Sequence, residues 1–194
     1  MKSLVDNIFA IETEEDFNAR ALEVFRFQYE NVPVYREFAD TLGRKKPVHY
    51  SEIPFLPIQF FKSHKIIAKG FEPEILFKSS GTGSSVRSSH FVAKKEIYER
   101  SFIPTFEKYV DQLDNCIVLA LLPSYVEQGE SSLVYMVDKL IGLTGHPLSG
   151  YYLDNAEELI GVIRQAKTTG RKVILFGVSY ALLDLAELKP DLRD

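Results

Sequence analysis

Hydrophobic positions along the chain fall into two textures. Over residues 14–42 they recur at helical spacing, with Phe17, Ala21, Val24 and Phe25 on one face. Pro33 should interrupt this stretch, and residues 34–38 resume as a short helix that Gly43 ends. Pro47, Pro54 and Pro57 make residues 44–57 an extended connection. Its Ile53, Phe55 and Leu56, with Ile58, Phe60 and Phe61 just beyond, are too apolar to be left in water. Short strands are predicted over 65–68, 74–78 and 89–92. A helix is expected over 94–110 with Ile103, Phe106 and Val110 on one side and Pro104 as a kink or fresh start.

The second half is more regular. Residues 116–122 form an unbroken apolar run, the mark of a strand covered on both faces. Leu133, Val134, Val137, Leu140 and Ile141 make a helical stripe over 131–141, and a short strand follows over 150–153. Asp154 with Glu157 fits a capping box for a helix over 155–168, which Gly170 terminates. Another buried strand is expected at 173–176 and another helix at 180–188. Strand and helix alternating with short joints predict an α/β fold with a mostly parallel sheet flanked by helices. The expected organisation is a helical segment with its proline-rich connection over 1–60, then an α/β subdomain over 61–194.

Composition narrows the function classes. The 194 residues carry 23 Lys and Arg against 27 Asp and Glu, a net charge of −4, which argues against a nucleic-acid backbone as main partner. The single cysteine, Cys116, permits no intrachain disulfide and no cysteine cluster. No uncharged run reaches the ~18 residues of a membrane span, and Asp6 stands where a secretory leader would be apolar. A cytoplasmic protein without a membrane span is expected.

Chemistry concentrates in Ser79-Ser80-Gly81-Thr82-Gly83-Ser84-Ser85: seven small residues, five of them hydroxylic, directly after a strand. Unobstructed backbone N–H groups and hydroxyls in such a loop suit phosphate oxygens, while the same residues also suit a hairpin turn. No lysine stands where a Walker loop needs one, and Val86 occupies the third glycine position of a dinucleotide fingerprint. Gly177-Val178-Ser179-Tyr180-Ala181 half-resembles a nucleophile elbow, but His49, His64, His90 and His146 all precede it, which disfavours a hydrolase. The scattered histidines offer no metal-ligand spacing, and Cys116, inside an apolar strand, reads as packing.

Three segments in order carry a resemblance. Ile53-Pro54-Phe55-Leu56-Pro57-Ile58 with Phe60-Phe61-Lys62-Ser63, then Phe77-Lys78-Ser79-Ser80-Gly81-Thr82-Gly83-Ser84, then Leu122-Pro123-Ser124-Tyr125 with Ser131-Ser132-Leu133, resemble the LuxE-like acyl-protein synthetases. These are adenylate-forming enzymes, related to acyl-CoA synthetases and phenylacetate-CoA ligases. The resemblance covers roughly residues 20–188 and implies the N-terminal part of such a fold. It implies ATP and Mg²⁺ as cofactors, a fatty or aryl carboxylic acid as substrate, and a thiol of CoA or of a protein as acceptor. By resemblance Ser79, Ser80, Gly81, Thr82, Gly83 and Ser84 wrap the β- and γ-phosphates, and Ser124, Tyr125, Gly177, Val178 and Ser179 border the acyl pocket. The loop departs from the family pattern: Gly83 stands one residue early and Arg87 is the nearest following cation. Arg87 either replaces the family's lysine or is an ordinary surface arginine. Nothing after Ser179 matches the family's later motifs, so an incomplete domain with little or no activity of its own is expected. The alternative is a non-catalytic binding or scaffold module that keeps the fold.

Overall fold

A computed structural model describes residues 2–80, 86–123, 129–153 and 155–192. The chain divides into two units, Met1–Ser101 and Phe102–Asp194. That division falls inside a helix, whereas the texture of the sequence changes near residue 60.

In the first unit, helix α1 (Lys2–Ile8) precedes α2 (Glu14–Asn31). The Thr13 hydroxyl accepts the Asp16 N–H at 3.1 Å, and Glu14, Glu15 and Asp16 complement the helix dipole in the first turn. Pro33 does interrupt the run, as the first residue of α3 (Pro33–Thr41), a position that needs no N–H donor. Arg36 of α3 caps the end of α2, its guanidinium donating to the carbonyls of Tyr29 and Glu30. Gly43, at φ +66°, follows the end of α3 in the left-handed conformation.

The proline-rich connection contains a 3-10 turn at Tyr50–Glu52 and then runs extended, leading to the one-turn helix α4 (Phe60–Ser63). Ile53 and Leu56 pack on Phe25, Val32 and Tyr35. Phe55 and Ile58, expected inside, are 79% and 69% exposed. Residues 65–68 form no strand. Their neighbour Lys69 donates its N–H to the Asn31 carbonyl at 2.8 Å, while Ile66 and Ala68 join the Phe25 cluster, so this segment is anchored to helix α2 rather than to a ladder.

Strands β1 (Ile75–Lys78) and β2 (Ser89–Val92) pair antiparallel, Ile75 opposite Val92 and Lys78 opposite Ser89. Among the described residues they form a two-stranded sheet of their own, not hydrogen-bonded to the parallel strands. Glu74 clamps the open end: its carboxylate accepts Lys94 Nζ at 2.6 Å and the Lys95 N–H at 3.0 Å. Those hydrogen bonds, from Lys94 first, lower the Glu74 pKa. Helix α5 (Lys95–Tyr109) then runs through Pro104 without a break.

The second unit is an α/β sandwich around β3 (Cys116–Leu121). Every residue of β3 is buried, and its side chains alternate between two cores. Cys116, Val118 and Ala120 face Phe106, Val137 and Leu140. Ile117, Leu119 and Leu121 face Leu159, Ile163 and Leu185. Helix α6 (Ser132–Thr144) begins at Ser131, whose hydroxyl accepts the Val134 N–H. The short β4 (Gly150–Tyr151) and the longer β5 (Lys172–Gly177) both run parallel to β3, in the order β4-β3-β5. Helix α7 (Ala156–Lys167) is capped by Asn155, whose Oδ1 accepts the Glu158 N–H at 2.9 Å. The expected cap, Asp154, lies outside the described residues. Helix α8 (Ser179–Glu187) follows β5. The fold is α/β with a small parallel sheet, and among the described residues no helix is long and apolar enough to cross a membrane.

Candidate functional site

The β1–β2 hairpin presents the Ser/Thr/Gly loop, and its base is tightly bonded. Ser79 N–H donates to the Ser88 carbonyl at 3.1 Å, and the Ser88 N–H returns a bond to Ser79 Oγ at 3.0 Å. Arg87 Nε donates to the Ser79 carbonyl at 2.6 Å. Ser88 is buried, whereas Ser80 and Arg87 are exposed. The bases of both arms are therefore locked before the loop begins. Of the loop residues singled out, Gly81, Thr82, Gly83 and Ser84 lie outside the described residues.

Aromatic contacts stiffen the hairpin. Phe77, buried, meets Tyr98 edge-on with centroids 5.4 Å apart, and His90 stacks on Phe61 at 4.5 Å with the rings 14° from parallel. Lys65 lies over the Phe91 ring at 5.4 Å. The sequence offers Phe61 and His90 separately and gives no sign that they pair. Their proximity depends on residues 64–74 returning the chain to α4, for which local periodicity carries no signal.

Helix-forming and loop residues of the second unit account for the remaining candidates. Ser124 and Tyr125 lie outside the described residues. Gly177 ends β5, Val178 precedes α8, and Ser179 is its exposed first residue. A side chain at Gly177 would meet Leu182 Cγ at 2.7 Å and Leu121 Cβ at 3.2 Å. Packing of α8 on the sheet thus accounts for the glycine by itself. Cys116 is fully buried, and burial, followed by the charge of Asp111, raises its thiol pKa, which disfavours the nucleophilic thiolate. Among the described residues no three His, Cys, Asp or Glu side chains gather as a metal site.

Comparison with family models, with curated proteins and with solved structures finds no match.

Ser80 and Arg87, both exposed beside the bonded base of the hairpin, carry donors of the kind that suit an anion. No carboxylate triad offers a resident divalent cation a cage among the described residues. Mg²⁺ fits such a place only as it is commonly carried, on the phosphates of a bound nucleotide.

Proposed function

We propose that the chain is the N-terminal part of an ATP-dependent acyl-activating protein, of the acyl-protein synthetase or acyl-CoA ligase type. Residues 79–84 with Arg87 would bind the phosphates of ATP. The observation that supports this most is the loop itself: five hydroxyls and two glycines carried on a hairpin whose base is already bonded.

In the reaction class proposed, a carboxylate oxygen of a fatty or aryl acid bonds to the α-phosphorus of ATP. The bond to the bridging oxygen breaks, and pyrophosphate leaves with the electron pair. N–H and O–H donors on the leaving group stabilise charge that grows toward the transition state. Arg87 would add a fixed positive charge to that end of the loop. Magnesium, riding on the nucleotide, supplies further neutralisation. A thiol of CoA or of a protein would then take the acyl group.

One observation favours the rival reading of a non-catalytic module. The Ser79 hydroxyl and Arg87 Nε already serve the hairpin's own bonds, as they would in a purely structural turn. Calorimetry with Mg-ATP separates the two. Nucleotide binding by the chain, weakened about tenfold or more by Thr82→Val at unchanged melting temperature, is expected if a hydroxyl donor meets phosphate. Absence of Mg-ATP binding would leave the scaffold reading. Carboxylate-dependent ATP–pyrophosphate exchange by the 194-residue chain is expected to be weak or nil, because nothing after Ser179 resembles the later motifs.

A further inference from the structure

The first unit encloses a cavity of about 400 Å³ between the end of α1, one face of α2 and the 50–56 segment. Its wall is almost wholly apolar, built on Ile8, Phe17, Ala21, Val24, Ile53 and Leu56. Phe17, Ala21 and Val24, which periodicity assigns to a packed helical stripe, border this space.

Directional bonds keep the wall from collapsing inward. Tyr35 donates its hydroxyl to the Pro54 carbonyl at 2.8 Å. The Tyr50 N–H donates to Asn18 Oδ1 at 2.8 Å, and the Phe17 and Tyr50 rings meet edge-on at 5.1 Å. The extended segment is thus pinned to α2 and α3 at points along its length. An apolar pocket takes apolar guests: a cavity of about 150 Å³ accepts benzene, so 400 Å³ suits roughly 10–16 carbon atoms. Phe17 and Phe55, both exposed, give it an apolar rim open to solvent.

Among the described residues the one charged side chain in the wall is Arg20, with Gln28 as the other polar side chain of α2 that borders it. Arg20 is 31% exposed, and Nη1 meets Glu23 Oε2, its one hydrogen bond among the described residues. A guanidinium has five N–H donors in a planar fork that matches a carboxylate.

We propose that this cavity is a binding site for a medium-chain aliphatic carboxylate, the chain in the apolar cavity and the carboxylate on Arg20. Glu23 acts there as a competing anion, and the ligand shares or displaces it. The site stands on the cavity and does not rest on the nucleotide reading, because binding needs neither ATP nor the 79–85 loop.

Calorimetry of the full chain with decanoate, decanol and decylamine, without nucleotide, tests it. Decanoate is expected to bind at one site and decylamine not at all. Arg20→Gln should weaken decanoate about tenfold while moving decanol less than twofold. Glu23→Gln should tighten decanoate several-fold by removing the competing carboxylate. Ala21→Phe should fill the cavity and abolish both ligands, with its melting curve recorded to confirm folding. Arg20→Gln and Glu23→Gln change partly exposed side chains and keep the test open if Ala21→Phe does not fold. Absence of decanoate binding would overturn the proposal. So would equal losses for decanoate and decanol in Arg20→Gln, or full binding by folded Ala21→Phe. Failure of Mg-ATP binding would leave it untouched.

Discussion

Gly177 shows how one atom decides a position. Its φ is not in the left-handed range, so backbone freedom does not explain it. Space does: a Cβ would lie 2.7 Å from Leu182 Cγ and 3.2 Å from Leu121 Cβ. Leu182 is the closer obstacle, nearer than side-chain carbons normally approach, whereas Leu121 Cβ needs to give by only a few tenths of an ångström. Gly177→Ala should therefore cost about 1 kcal/mol, the low end of overpacking, offset in part by a less flexible unfolded chain. In a Leu182→Ala background the same change should be neutral or stabilising, read as a coupling of about 1 kcal/mol in a double-mutant cycle by urea denaturation. Equal costs in both backgrounds would refute the packing account. Cys116 follows the same logic of place, since burial alone makes a chemically versatile residue inert.

Helix boundaries in this chain are set by single side-chain bonds. Thr13, Ser131 and Asn155 each accept an N–H from the first turn of α2, α6 and α7. Asn155→Ala should destabilise the protein by about 1 kcal/mol with an unchanged denaturant slope, while Asn155→Asp should be close to neutral. A neutral Asn155→Ala would mean that α7 is held by its packing on Ile117 and Leu119 alone. Long apolar runs and helical stripes were legible: the α2 to α3 break at Pro33, the α6 stripe and the β3 and β5 strands stand where the pattern predicts. Residues 65–68 mislead because an apolar extended segment packed against a helix has the composition of a strand. Only the contacts separate the two, and the bond that anchors the segment, from the Lys69 N–H to the Asn31 carbonyl, comes from a helix distant in sequence.

Across the whole molecule, the most heavily buried element is β3, flanked by parallel neighbours and by a core on each face. The β1–β2 hairpin is a two-stranded ribbon of four-residue strands, with intermediate burial along β2. Native-state hydrogen exchange should place the β3 amides of Val118, Leu119 and Ala120 among the slowest in the protein. Those of β2 should exchange at least tenfold faster through local opening. Comparable protection in the two sheets would show that the hairpin opens only with its whole unit.

What the sequence by itself determined is the class and the local grammar. Unbroken apolar runs demand a sheet covered on both faces, and 3.6-residue stripes demand helices laid against it, because each follows from a repeat along one segment. The concentration of glycines and hydroxyls at 79–85 is likewise a property of one segment. Tertiary structure alone decided that the hairpin pairs with itself apart from the parallel sheet, and that Gly177 is required by Leu182. It alone decided that the aromatic stripe of α2 borders a cavity with Arg20 in its wall. Each depends on segments distant in sequence meeting at a given separation. Space between packed surfaces leaves no periodic trace in the chain that encloses it.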